Sequence, residues 1–373
     1  MQRTMWSLIQ WTLLAALSFP AFGQGDPNQP KRDNVLSEVE SAFAAAGFEE
    51  TFNPYSGNMT VRLPMIDLSG RGGLDLVLRP YYSSEIYNRT ESTAVGTHVA
   101  SIDPVDHLGG GGWQLHFGKV FNPSGSGSSN PTAPNNPLVI MPDGSTRMLF
   151  ASAVGELISE DRWKYKLNTS TQRWELTATS GTVSEFADRV GFERAVSFRN
   201  EVIAQCVKDR DVFGNEINAA YSGGPITSIV DTFGRTVEFT YVSGTDRLQF
   251  VRVKNGATTL QQWQFGYSST PQVTWAHPFG TRPIYSLNQI TPPEGDNWTF
   301  EYFTSGTAMS ANLYALKKTT LPTGGTIAYT YVGKNFNPGC QSLQIQRSVL
   351  NTRAIAGRDV VAGTSSYAYT NPG

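Results

Sequence analysis

Cysteine is nearly absent from this sequence: Cys206 and Cys340 are the only two in 373 residues. That excludes a disulfide-dense scaffold and the repeated cysteine spacing of a zinc site. One Cys206–Cys340 bridge stays open, with two unpaired thiols as the alternative. Histidine is scarce as well. His98, His107, His116 and His277 are the four, and none sits in an H-E-x-x-H setting. Neither charge sign dominates, with 29 Lys+Arg against 31 Asp+Glu. A concentrated basic face for nucleic acid is therefore not expected. After the first 23 residues no apolar run approaches the length of a membrane span.

Catalytic signatures are missing in the same way. There is no G-x-S-x-G elbow. Gly109–Gly112 lack the lysine and the helix of a phosphate cradle, since a strand-like Trp113-Gln-Leu115-His-Phe117 follows. Asp103–His107 gathers two carboxylates and an imidazole, but reads as a polar loop. Asp209–Asn215 has the first spacings of a calcium loop, yet Phe213 and Ala220 stand where ligands are required. The sequence offers no catalytic residue, cofactor site or metal site, and the chain is expected not to be an enzyme.

What is present begins with a basic Arg3, an apolar run from Leu8 to Ala21, and small residues at Ala21 and Gly23. This is the form of a secretory signal cleaved before Gln24. The mature chain is then expected in the periplasm, on the cell surface or in the medium. Residues 24–50 read as a polar leader and one short helix with Val35, Val39 and Phe43 on a stripe. Residues 51–121 alternate as strands. Met59, Val61, Leu63 and Met65 share one face, and Leu74, Leu76 and Leu78 follow a glycine turn at Ser69–Gly73. Residues 122–137 are almost wholly Pro, Gly, Ser and Asn, and mark a linker loop and a candidate internal boundary. Residues 138–200 read as β-hairpins, the first turning at Asp143-Gly144. With 36 glycines and 21 prolines, turn-rich β structure is the expected class.

From residue 201 the chain repeats itself. Asp211-x-x-Gly214-Asn215 and Tyr221 return as Asp231-x-x-Gly234-Arg235 and Tyr241. A second echo aligns Gly295 and Tyr302 with Gly324 and Tyr331. The intervals differ, but the unit is constant: a glycine turn, then an alternating strand ending in tyrosine. Asp can accept backbone N–H groups within the turn, and Gly can take positive φ where the chain reverses. One such hairpin cannot bury its apolar face alone, whereas stacked hairpins can. The expected fold is all-β, an extended twisted antiparallel sheet grown by accretion.

These residues resemble the YD-repeat (RHS-repeat) family, in its N-terminal part. The match rests on Asp211-x-x-Gly-Asn215, Ile229-Val-Asp231-x-x-Gly-Arg235 and the closing Tyr221, Tyr241, Tyr302 and Tyr331. It extends to Phe52–Ser84, Gly112-Trp113 and the Pro142–Ser145 hairpin, and covers about residues 52–370. The resemblance implies an exported or surface β-repeat scaffold that interacts with other polypeptides. Large members form a hollow shell around a variable toxic domain. This sequence carries few repeats and no visible toxin or self-cleaving motif. The alternative is a carbohydrate-binding module, with Trp113, Trp163, Trp174, Trp263 and Trp298 as an exposed stacking platform and cell-surface glycans as partners; the plainer reading of these tryptophans is that they fill the inner face of the sheet.

Overall fold

The computed structural model describes residues 48–53, 57–84, 88–89, 100–101, 108, 112–125, 136–152, 156–188, 203–245, 247–269, 273–277, 280–303, 315–336, 345–357 and 360–368. The signal segment, the short helix, Asp103–His107, Gly109–Gly111 and Cys340 lie outside them. Among the described residues the protein is all-β, with one 3-10 turn at Arg71–Gly73. None of its helices there is long and apolar enough to cross a membrane.

Among the described residues, twenty strands form one hydrogen-bonded sheet that closes on itself. Closure is the work of the short strand Lys119–Phe121. One of its edges pairs with Leu138–Ile140 and the other with Ile203–Gln205. A strand has two edges, so this pairing shuts the hairpins between residues 119 and 210 into a ring. The strands flanking 122–137 therefore pair with each other as neighbours in one sheet. From Ile203–Arg210 onward the sheet continues as an antiparallel meander through Glu216–Tyr221, Ile226–Val230, Thr236–Tyr241, Leu248–Asn255 and Thr258–Tyr267. It goes on through Leu287–Thr291, Trp298–Tyr302, Leu316–Thr320, Thr326–Phe336, Ile345–Gly357 and Val360–Ser366.

The alternation read from the sequence sets which face is buried. Val237 and Phe239, Val251 and Val253, Trp263 and Phe265, Trp298 and Phe300, and Ile327 and Tyr329 all point into one core. Against that face lies a second layer, the sheet Glu49–Phe52, Met59–Arg62, Tyr81–Ser83 and Trp113–Gln114. Met59, Val61, Leu63 and Met65 are buried as their spacing requires. The layers lock through aromatic and polar contacts. Trp113 lies 4.6 Å from Phe300 and Phe48 5.9 Å from Trp298, centroid to centroid. The Leu316 N–H donates to the Tyr82 hydroxyl at 2.9 Å. Arg353 pairs with Glu50 at 2.6 Å, both side chains only 12% exposed. Burial of this kind makes the pair costly to break one-sidedly.

Two glycines permit the layers to meet. Gly57, at φ +71°, sits so close to Val349 that a Cβ would come within 2.3 Å of its side chain. Gly144, at φ +80°, lies against the Tyr81 ring, where a Cβ would approach to 2.8 Å. The Ser69–Gly73 turn docks on a repeat turn. Arg71 N–H donates to Thr232 Oγ1 at 2.7 Å, and Arg235 donates to the Ser69 carbonyl at 2.6 Å.

Gly57→Ala is expected to lower the urea-unfolding midpoint well beyond Gly234→Ala. Gly234 has the same positive φ but nothing within 4 Å of a Cβ. Its cost is the left-handed backbone alone, about 1–2 kcal/mol. Equal losses at the two positions would show that the approach of the layers at Gly57 is not close.

Candidate functional site

The repeat residues come together as a ladder. In each hairpin the terminal tyrosine donates its hydroxyl to the main-chain carbonyl at the opposite end of the same hairpin. Tyr221 reaches Cys206 at 2.6 Å, Tyr241 reaches Ile226 at 2.8 Å, Tyr302 reaches Leu287 at 2.6 Å and Tyr331 reaches Leu316 at 3.1 Å. All four bonds span 15 residues. A fifth, Tyr267 to Leu248 at 2.9 Å, spans 19. Sequence reasoning missed Tyr267 because its hairpin arms are longer. Adding two residues to each arm keeps the tyrosine on the same face of a period-two strand.

Every one of these tyrosines stands at a register shift. At the shift Tyr221 faces Ile226, Tyr241 faces Leu248, Tyr267 faces Leu287, Tyr302 faces Leu316 and Tyr331 faces Leu350. The residue whose carbonyl takes one hydroxyl is thus, for Ile226, Leu248, Leu287 and Leu316, also the backbone partner of the preceding tyrosine. The bulge bends the strand and turns the ring back over the splayed end of its hairpin. There the hydroxyl satisfies a carbonyl that the ladder of that hairpin has left open. Burial pushes the Tyr302 and Tyr331 hydroxyls well above the usual phenol range, so they stay protonated donors.

The other end of each hairpin is closed by its turn. Asp211 Oδ1 accepts the N–H groups of Phe213 and Asn215 at 2.9 and 2.8 Å, and Oδ2 accepts the Asn215 amide at 2.7 Å. These bonds, the Asn215 amide foremost, hold its carboxyl below the usual range. Asp231 repeats the pattern with Phe233 and Arg235 at 3.0 and 2.8 Å, and its second oxygen takes Arg235 Nε at 2.6 Å. Gly214, Gly234, Gly295 and Gly324 have φ between +80° and +85°, and Gly144 and Gly181 nearly the same. The hairpins turning at Gly144 and Gly181 therefore use the same three-residue loop with a left-handed glycine, whereas Arg162 takes the left-handed position, at φ +65°, in the Ser159–Trp163 loop. The sequence showed this turn at Asp143-Gly144 and hid it at Gly181, where no Asp precedes it.

The proposed stacking platform does not exist as an exposed surface. Trp113, Trp263 and Trp298 are core residues, 0%, 8% and 3% exposed. Trp163 and Trp174 pack against the core from its margin, Trp163 under Arg147 and Trp174 stacked on Tyr165. Trp113, Trp263 and Trp298 fill the inner face because the strands that carry them alternate inward at those positions. Cys206 is a free, buried thiol whose ionisation burial opposes.

A recess lies between the layers. It is a cleft of about 400 Å³ bounded by Asp75, Val77 and Arg79 on one side and by the Met141–Arg147 hairpin, Phe117 and Asp209 on the other. Asp209 reaches it through a bulge. Phe186 faces Cys206 and Glu185 faces Lys208, leaving Val207 extra. That extra residue places Asp209 on the same face as Cys206, opposite Ser184 and the buried Ile217. Asp209 and Asp211 thus diverge, one to the cleft and one to its turn. No group of carboxylates, His or Cys suited to a metal occurs among the described residues. Desolvation raises the Asp209 carboxyl from 3.8 to about 6, against hydrogen bonds from Ser184 and Cys206.

No family model matches the sequence, and no curated protein matches it. Among solved structures, the chain is similar to the Photorhabdus luminescens Tc holotoxin pore at 12% identity and a TM-score of 0.27. That match covers 85% of this chain and 16% of the other, so this chain spans a small part of its length. A porin-like protein from Bacteroides uniformis matches at 11% identity and a TM-score of 0.25, over 64% and 96% of the two chains. The N-terminal domain of the effector protein SpvB from Salmonella typhimurium matches at 12% and 0.24, over 82% and 100%. At these scores the likenesses carry no weight for fold or function.

Tyr241→Phe and Tyr302→Phe should each cost about 1 kcal/mol of stability, the net worth of one hydrogen bond, because ring packing is kept. A measured loss near zero at both would show that the hydroxyls do not staple the hairpins. The Asp209 carboxyl gives a pH dependence of fixed sign. The folded chain holds that proton more tightly than the unfolded chain, so this group's contribution to stability is full below about pH 4 and is lost as pH rises through about 6. Asp209→Asn should flatten this part of the melting-temperature profile and raise stability at pH 7.

Proposed function

We propose that this chain is a non-enzymatic, exported β-repeat scaffold of the YD (RHS) type. It works at the cell surface or outside the cell by holding other polypeptide. The tyrosine ladder carries this reading. The polar side chains that define the repeat are spent on the protein's own backbone, Asp on turn N–H groups and Tyr on strand carbonyls. Groups committed in this way build a sheet and leave none of the repeat's hydroxyls or carboxylates to act on a substrate. The signal-like N-terminus supports export, and the resemblance in repeat residues supports a part in a larger enclosing shell. A carbohydrate module loses its support with the burial of Trp113, Trp263 and Trp298.

The test is recovery of the native protein from the exported fraction of its source, after crosslinking in place. The expected result is an N-terminus at Gln24 and crosslinks to polypeptide, with a glycan array silent. An intact Met1 in the cytoplasm would overturn the export. Saturable glycan binding without any crosslinked polypeptide would overturn the scaffold role.

A further inference from the structure

The cleft between the layers is built as more than a seam. Its two guanidinium groups are already matched. Arg79 pairs with Glu49 at 2.5 Å, and Arg147 with Asp161 at 2.8 Å. Asp143 is occupied by its own turn, accepting Ser145 N–H at 2.9 Å, with Arg62 and Arg147 nearby. Two carboxylates remain without a cation at ion-pairing distance among the described residues. Asp75 accepts only a backbone bond from Gly70 at 2.7 Å. Asp209 is met by the neutral Ser184 and Cys206. Between them the wall is apolar, with Val77, Phe117, Met141 and Pro142.

We propose that this cleft binds a primary ammonium group carried on an aliphatic stem, as on a lysine side chain, with Asp209 as its counter-ion and Asp75 at the mouth. The stem would lie on the apolar wall while the ammonium replaces the solvent that Asp209 has lost. The volume of about 400 Å³ is ample for such a side chain. The bulge at Val207 has a purpose in this account, since regular pairing would turn Asp209 to the opposite face. Bulges recur where a side chain must be re-aimed at a ligand.

The experiment is calorimetric titration of the full chain at low salt with Nα-acetyl-lysine methylamide, and with its Nε-acetylated form as a neutral probe of the same stem. One saturable site is expected at pH 7.5, with affinity at least tenfold weaker for the neutral probe. Binding should fade as pH falls through about 6, where Asp209 takes up its proton. Asp209→Asn should abolish both the affinity and its pH dependence. Val77→Trp, which fills the cleft without changing charge, should abolish binding if Asp209→Asn proves uninformative for folding. Butylammonium binding as tightly as the lysine amide would name a free amine as the source, whereas weaker binding would name a polypeptide. Equal binding of charged and neutral probes, or affinity unchanged in both variants, would overturn the proposal. Neither result would bear on export or on the scaffold role.

Discussion

A tyrosine hydroxyl bonded to a main-chain carbonyl at the open end of its own hairpin is the contact on which this structure turns. Each bond contributes only about 1 kcal/mol net. Its importance lies in position. An antiparallel hairpin is closed at one end by its turn and splays at the other, and isolated hairpins are marginal in water. Here the turn end is fixed by a left-handed glycine and, in two repeats, by an aspartate. The open end is fixed by the tyrosine. The bulge that aims the ring also sets where the next hairpin pairs, so one rung prepares the site of the next. Five rungs together approach the net stability of a typical domain, about 5–15 kcal/mol.

The second layer follows from the same constraint. A meander whose inner face presents Phe239, Val251, Trp263, Phe300 and Tyr329 must be covered. The N-terminal strands supply the cover with Met59, Val61, Tyr82 and Trp113, all below 1% exposed. Their polar contacts fall where the repeat needs them. Tyr82 takes the Leu316 N–H beside one rung, and Arg71 and Arg235 tie the Ser69–Gly73 turn to the Asp231 turn. The cleft is what remains where the layers part around the Met141–Arg147 hairpin.

Much of this was legible in the sequence. The alternation of Val237, Phe239 and Tyr241 gave the buried face, and Asp211 and Asp231 gave the turns, because both are local effects of period and backbone conformation. Irregular spacing of the repeat has a simple origin. The hairpin is nearly constant, while the connectors between hairpins vary from Ser222–Pro225 to the long excursion through Val273–Ile284. Three features were hidden because they depend on distant pairing. Tyr267 belongs to the ladder through longer arms, not through a motif. Ring closure by Lys119–Phe121 depends on a strand more than 80 residues away in sequence. The inward turn of Asp209 depends on one unpaired residue, Val207, which no local pattern reveals. The tryptophans stood between a stacking platform and the filling of the inner face for the same reason, since composition shows aromatics but not which face they occupy.

The central claim is that each tyrosine clamps its own hairpin, and amide hydrogen exchange on Tyr241→Phe tests it most directly. Faster exchange is expected at the open end of that hairpin, around Ile226 and the Val242–Arg247 connector. The Asp231 turn and the hairpins closed by Tyr302 and Tyr331 should keep their protection. Exchange unchanged around Ile226, or raised evenly over the whole sheet, would contradict the account.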